Sequence, residues 1–464
     1  MSTKKWHYGW MILATTFLAL LMAQGVRLSF GAFIQPWEVE FQTNRENISR
    51  LTLISYMIFA ISQPLIGKIV DMYGVRKVLG FSILTVGLST FLTGYVTSLW
   101  QLLLLYGVIS SVGFGGASNI VATVAVNNWF KEKKGVALGI SASASGAGQL
   151  LIVPASLIFI ESTSWQYTVM LWGAILTFVV FPLVLWLIRS YPADKGLLAY
   201  GEKILVEKDG VPSGKGTDSS HLGNDSPGSI SSSDSSGILD VSDVSKEAAP
   251  PVSSSTPETP GFLSILQQRE FWFLLIPFFV CGVSTTGLMD THLIPFAHDH
   301  GYSTTVTGLA VSLLAGCNIL GTVLSGFVAD RWSNKNFLAI LYGTRALSIV
   351  LLLLAGDPIL LMTFAVIFGL VDFATVSPTI MLASEYFKKA TGTVVGWLYL
   401  SHQIGSALGS YLPGVIYRLT GGYEVAFIGT IALLIVAAGI CYSLPETRKP
   451  SAPKGAADTS SAAG

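Results

Sequence analysis

Gly67-Lys68-Ile69-Val70-Asp71-Met72-Tyr73-Gly74-Val75-Arg76-Lys77 follows a long apolar run, and a reduced copy, Gly326-Phe327-Val328-Ala329-Asp330-Arg331, follows another far downstream. Glycine lets two helices approach closely, an aspartate sits at a helix end, and the basic pair Arg76 and Lys77 anchors the next helix among lipid headgroups. The pattern predicts a sharp helix-loop-helix turn at a membrane surface, made twice. A chance match in a soluble domain is the competing explanation, and composition argues against it.

Of 464 residues, 51% are hydrophobic and 12% charged, where an ordinary soluble domain has about 25% charged residues. Mean hydropathy is +0.60. Formal net charge is zero, so nothing points to a nucleic-acid partner. About twenty apolar residues span a bilayer core. Spans are expected at 10–33, 48–69, 78–96, 99–126, 135–159 and 166–188, then at 271–294, 304–328, 337–355, 358–384, 392–416 and 424–444. The expected fold is an all-α membrane protein, with twelve transmembrane helices in two pseudo-symmetric six-helix bundles covering 1–190 and 263–445. The first span is too long for a signal-peptide core and is expected to be retained.

Residues 191–262 change character, as in Ser229-Ile230-Ser231-Ser232-Ser233-Asp234 and Pro250-Pro251-Val252-Ser253. Such a segment buries too little apolar surface to order itself, and reads as a cytosolic linker between the bundles. The tail 446–464 reads likewise. With both termini inside, the cytosolic side receives Lys4, Lys5, Lys68, Arg76, Lys77, Lys131, Lys133, Lys134, Arg331, Lys335, Lys388 and Lys389, among others, and the opposite side only Arg45, Arg50 and Arg418. That asymmetry is the positive-inside pattern. It places the chain in a cytoplasmic (plasma or inner) membrane with lipid as its solvent.

Trp129-Phe130-Lys131, then Gly135 and Gly139, recurs as Tyr386-Phe387-Lys388, then Gly392 and Gly396, at a constant offset of 257 residues. Duplicated halves are the expected sign of a transporter that rocks about a central site. Small residues at spacing four, Gly135, Gly139, Ser143 and Ala147, and later Gly405 and Gly409, suit close helix packing.

Taken together, these motifs resemble the signature of the major facilitator superfamily, whose weaker copy falls between helices eight and nine. Tyr8-Gly9-Trp10 and Trp129-Phe130-Lys131 followed by Lys134-Gly135-Val136-Ala137-Leu138-Gly139 resemble the signatures of its monocarboxylate-porter and oxalate-formate antiporter branch. The resemblance implies a secondary transporter of small organic anions, commonly carboxylates, working by proton symport or anion exchange. It also implies that the chain works as a monomer. One departure stands out: where many members of that branch carry an Arg in helix eight, with an acid one turn earlier, this chain has Thr322 and Asn318. A guanidinium there would grip a carboxylate as a fork.

A charge at helix centre costs roughly 2.5 to 3.5 kcal/mol, so each one needs a partner or a wet cavity. Arg27 and Asp290 lie at matching depth, roughly 25 to 30 Å from the cytosolic face, and are expected to pair when the outer gate is closed. A permanent bridge, or snorkelling of Arg27 to outer headgroups, is the alternative. Arg345 and Asp372 also match in depth and are expected to form a fixed intramembrane pair. His292 and His402 are suited to titrate near neutral pH, as relay or substrate donor, or simply to pack. Asn119, Gln149, Tyr399 and Gln403 complete the candidate polar contacts, and the glycines around Gly113 together with Pro378 suggest helix interruptions lining a cavity.

Cys281, Cys317 and Cys441 show no metal or redox spacing. No phosphate loop, metal-ligand set or nucleophile elbow is present, so neither an enzyme nor a cofactor or metal is expected. The function expected is alternating-access transport of a small organic anion with protons. An exporter of drugs, peptides or lipopeptides by proton antiport is the alternative.

Overall fold

The computed structural model describes residues 7–202, 262–388 and 390–445, the side chains of Phe262, Leu263 and Asp330 aside. Most of the expected linker, the tail 446–464, Lys389 and the Asp330 side chain therefore lie outside the described residues. The first half comprises α1 (Tyr8–Leu28, continued as Phe30–Glu40), α2 (Arg45–Tyr73), α3 (Val75–Thr93), α4 (Leu99–Trp129), α5 (Lys134–Ser162) and α6 (Trp165–Leu187). The second comprises α7 (Arg269–Asp299), α8 (Thr304–Arg331), α9 (Asn334–Leu353), α10 (Pro358–Tyr386), α11 (Thr391–Thr420) and α12 (Glu424–Tyr442). Eleven are long and apolar enough to cross a bilayer among the described residues. α11 has the length, and its run Ser401-His402-Gln403 dilutes its apolar character.

Side-chain caps start these helices where the sequence supplies them. Asn44, Ser164, Ser303 and Asp357 each accept the backbone N–H three residues on, opening α2, α6, α8 and α10. All four lie at one end of the bundle, here the far end. His7 and Pro445 mark the other, near end, where the Tyr8 hydroxyl donates to the Leu187 carbonyl (2.6 Å) and the Tyr386 hydroxyl to the Pro445 carbonyl (2.6 Å). Each half has its own core, Leu79, Ile83, Phe114 and Leu176 in the first, Phe278, Ile349, Phe364 and Leu434 in the second. The outer surface is apolar too, with Phe81, Phe178 and Ile435 exposed, as a lipid-facing surface requires.

The Gly67–Lys77 turn forms between α2 and α3, with a physical logic partly different from the expected one. Gly74 has φ +80° and ψ 161°, a region open essentially only to glycine, and a Cβ there would meet Ser190 Oγ. Ser190 Oγ also accepts the Arg76 backbone N–H (3.3 Å), and Arg76 Nε donates to the Leu185 carbonyl (2.9 Å). Gly67, by contrast, faces open space, so it mediates no close approach here, and Asp71 and Lys77 are exposed. Arg331 of the second copy is exposed as well.

Residues 191–202, expected to open the linker, instead fold onto the first half. A short turn, Pro192–Lys195, leads to Tyr200, whose N–H donates to the Trp129 carbonyl (2.8 Å) and whose carbonyl accepts from Lys131 (2.9 Å). Trp10, Phe130 and His7 pack around the Tyr200 ring. The two sequence signatures Tyr8–Trp10 and Trp129–Lys131 are thus one aromatic cluster.

α4 and α10 are both interrupted at equivalent places. α4 breaks at Ala117–Ser118, and α10 tightens into a 3-10 turn at Phe373–Thr375, just ahead of Pro378. Freed carbonyls inside an apolar bundle need donors. Gln24 Nε2 supplies the first break, donating to Ala117 (2.7 Å) and Phe114 (3.5 Å). Arg345 supplies the second, with Nη2 donating to the Val371 carbonyl (2.6 Å) and to the Asp372 carbonyl. Phe114 and Val371 are related by the 257-residue offset of the repeat. The expected Arg345–Asp372 ion pair is therefore corrected: the two residues meet, but the guanidinium holds the backbone of Asp372, and its carboxylate accepts from Asn318 Nδ2 (2.9 Å). Arg345 Nη1 is spent on Ser284 Oγ (3.3 Å) and Cys281 Sγ (3.4 Å).

Two outcomes follow for purified protein. Gly74→Ala should lower thermal stability by the roughly 1–3 kcal/mol of a glycine-only backbone conformation, while Gly67→Ala leaves the unfolding midpoint unchanged. Arg345→Leu should cost about 3 kcal/mol by stranding two buried carbonyls, and Asp372→Asn much less. Equal losses from the two would mean that an ion pair, and not carbonyl capping, is what Arg345 provides.

Candidate functional site

The halves meet along α2–α11 and α5–α8, and these contacts are uneven. At the far end a Cβ on Gly414 of α11 would collide with Ser49 of α2 and Ser312 Oγ donates to the Leu150 carbonyl (3.4 Å), and at mid-span Gly146 packs on Ile319. At the near end Gly67, Gly135, Gly139, Gly326, Gly392 and Gly396 all face open space. The expected close-packing role of Gly135 and Gly139 is absent, whereas Gly405 and Gly409 do pack, against Phe279 and Val283 of α7. A cleft thus opens between the halves at the near end and closes at the far end.

What closes it is a network that sequence reading treated as three loop charges. Arg45, 5% exposed, donates to both oxygens of Glu38 (3.0 Å each) in its own half. It also donates to Asp299 and, at 3.2 Å, to the Tyr423 hydroxyl in the other half, with its guanidinium over the Tyr417 ring (4.1 Å). Glu46 pairs with Arg418 and accepts from Tyr411 (3.3 Å), again across halves. Gln35 adds a bond to Asp299 (3.0 Å). The partners are about 250 residues or more apart in sequence, so no local pattern announces them.

Below this seal sits the cleft's innermost wall. α1 brings Arg27 there, and its guanidinium lies on the faces of Phe59 (3.9 Å) and Tyr56 (4.8 Å) of α2. Such contacts hold a cation without consuming its donors. Nη1 reaches only Gln24 Oε1 (3.3 Å), and Nη2 is buried with no partner. Gln24 is oriented by its bonds to the α4 break, so the break and Arg27 are mechanically linked. The Tyr56 hydroxyl crosses to the other half and donates to the Thr286 carbonyl (3.2 Å), inside the widened turn Val283–Met289 of α7.

Asp290 follows that widened turn. Its Oδ1 accepts from Gln149 Nε2 of α5 at 2.8 Å, a bond between halves. Leu28, Val153, Leu293, Ile294, Val311 and Leu314 line the small cavity around it. The far end is closed, yet Arg27 and Asp290 form no ion pair, which corrects the pairing expected for that state. Asp290 has taken a neutral amide donor instead, leaving cation and carboxylate separately held.

His402 of α11 is buried between Phe278 (5.1 Å) and Phe373 (6.3 Å), with Nε2 unpartnered. Tyr399 and Asn119 are exposed and Gln403 half-buried. His292 lies elsewhere: fully buried, it donates from Nε2 to the Ser410 carbonyl (2.8 Å) and accepts at Nδ1 from Tyr423 (3.0 Å). Both nitrogens are spent within the second half, next to the Arg45 network. Gln24, Tyr56 and Phe59 escaped notice in the sequence, since polar and aromatic residues in apolar helices carry no signal until their neighbours are known. The described residues contain no cluster of metal-ligating side chains.

Comparison with known proteins bears on this geometry. The family model described as Major Facilitator Superfamily matches residues 13–316 and 291–463. The chain is similar to the "Uncharacterized MFS-type transporter YcxA" of Bacillus subtilis, 24% identical and covering 92% of this chain and 94% of that protein. It is also similar to "Monocarboxylate transporter 12" of Homo sapiens, 24% identical over 91% of this chain and 77% of that one. Among solved structures, the bacterial homolog to the human lysosomal transporter Spinster, in an inward-facing and occupied conformation, shares the fold. Its TM-score is 0.65 at 15% identity, covering 94% of this chain and 96% of that one. A duplicated helical fold with a cleft between its halves, matched along nearly its whole length by these relatives, makes this chain a multi-pass membrane protein belonging to the Major Facilitator Superfamily.

Proposed function

We propose that this transporter moves a small organic anion of the carboxylate class across the cytoplasmic membrane by alternating access coupled to protons, with its near end and termini in the cytosol. The observation that carries the reading is Arg27: a cation at the closed end of the cleft, held by aromatic faces, with donors left over. A carboxylate entering from the near end would accept from the guanidinium donors that Gln24 leaves unused, with Asp290 near but not in contact, and a guanidinium suits it as a bidentate fork. Names among the relatives, monocarboxylate transporters 12 and 13, support that substrate class. The distribution of Lys and Arg supports a cytosolic near end.

Buried and half-buried acidic groups of the second half, Asp290 among them, are where the coupled proton would be held. Alternating access would then exchange the far-end network for an equivalent closure at the near end, where the glycines that now face open space become contacts. The exposed ring of Tyr399 favours one second reading, export of drugs, peptides or lipopeptides by proton antiport.

Purified protein in liposomes loaded with a pH-sensitive dye, challenged with mono- and dicarboxylates, decides between them. At least one carboxylate should acidify the lumen, and Arg27→Ala should slow that by about 10- to 100-fold, the worth of lost charge-assisted hydrogen bonds, with Arg27→Lys only partly restoring it. Silence toward every carboxylate from folded protein would move the weight to the exporter. Separately, Arg45→Gln should speed labelling of a Ser49→Cys reporter by an impermeant maleimide from the outer side, because the seal over that residue loosens. An unchanged labelling rate would show that Arg45 does not hold the far end shut.

A further inference from the structure

Asp372 is 2% exposed, in the middle of α10, and among the described residues no cation is in salt-bridge contact with its carboxylate. Arg345 acts on it electrostatically, but both of its Nη groups point elsewhere, to the carbonyls of Val371 and Asp372 and to Ser284 and Cys281, so it gives the carboxylate no hydrogen bond. Among the described residues the one bond to the carboxylate is from Asn318 Nδ2 to Oδ2 (2.9 Å), and Oδ1 is buried without a partner. Thr322 Oγ1 donates in turn to Asn318 Oδ1 (3.2 Å), fixing the amide so that its N–H faces Asp372. An ionised carboxylate with an unmet oxygen in an apolar interior is among the costliest states a side chain can occupy. A proton on Oδ1 removes the charge while Asn318 keeps its bond to Oδ2.

The surrounding groups are few. From α7 come Cys281 and Asp290, from α9 Arg345 and Tyr342, and from α8 the thiol-bearing Cys317, whose Cβ faces Gly369. From α11 comes His402, its ring against Phe373. None of them donates a hydrogen bond to the carboxylate. The position also matters. Asp372 opens the 3-10 turn at which α10 breaks, and Asn318 precedes Ile319, which packs on Gly146 of the other half. A change of charge at Asp372 is thus one residue away from the contact between halves.

We infer that Asp372 is a proton-binding site of this transporter, the buried carboxyl that carries the coupled proton at the α10 break. The inference rests on the proton-coupled reading above and deepens it. On this view the chain holds proton and anion on different halves, the proton at Asp372 and the anion at Arg27, so that both are needed before the halves rock.

pH-difference infrared spectroscopy of the wild-type protein and Asp372→Asn in liposomes, without substrate, tests the site directly. A carboxylic C=O band that appears on acidification of the wild type and is missing from Asp372→Asn supports it; superimposable spectra overturn it. Should Asp372→Asn fail to fold, Asp372→Glu carries the test, since the band must shift if this residue is the carrier and stay put if it is not. In transport, Asp372→Asn should retain counterflow at equal pH on both sides and lose accumulation driven by a pH gradient. Undiminished gradient-driven accumulation would overturn the coupling role. Wild-type protein that moves no carboxylate, yet shows the band that Asp372→Asn lacks, would sink the anion reading and leave the proton site supported.

Discussion

Backbone groups inside an apolar bundle have nowhere to go but to other parts of the protein, and this requirement shapes the interior. α4 and α10 each break at mid-span, and each break is tolerated because one long polar side chain reaches the freed carbonyls, Gln24 in the first half and Arg345 in the second. The two solutions serve equivalent carbonyls of a duplicated chain with different chemistry, an amide from α1 and a guanidinium from α9. Each capping residue then constrains a functional group. Gln24 accepts from Arg27, and Arg345, by engaging the backbone of Asp372, gives its carboxylate no hydrogen bond.

The two ends of the molecule are held together by unequal means. At the far end, ionic and aromatic contacts centred on Arg45 tie the halves, and most of the bonds are charge-assisted and sheltered from solvent. At the near end the aromatic cluster of Trp10, Phe130 and Tyr200 joins parts of the first half. The contacts between halves mix polar bonds, glycine contacts and a few apolar ones such as Val153 and Leu157 against the second half, whereas each half encloses a larger apolar core of its own.

His292 and Arg345 show how a charge or imidazole in a span is read differently once its neighbours are present. From sequence both are costly groups in search of a role. In the folded chain both ring nitrogens of His292 and both Nη groups of Arg345 are taken up by carbonyls, hydroxyls and a thiol, and their role is to hold backbone and neighbouring helices in place. Arg27, Asp290 and Asp372 are the converse. They sit at the same sort of depth, and each keeps part of its hydrogen-bonding capacity unspent or met only by a neutral amide.

The sequence by itself determined the class of fold. Apolar length set the helices, the Gly67–Lys77 turn and its copy set the duplication, and Gly74 is demanded by a backbone angle that depends on nothing distant. Arg27 and Asp290 were legible as candidates because charge in an apolar span is expensive wherever it is placed. Only the tertiary structure decided which of those charges are paired, since pairing depends on distances between helices hundreds of residues apart. It placed Arg345 on a carbonyl instead of a carboxylate and Asp290 on Gln149 instead of Arg27. It also built a seal from Arg45, Asp299 and Tyr423. Composition reports the cost of burying a group, and the partner that offsets that cost is a property of the packed chain.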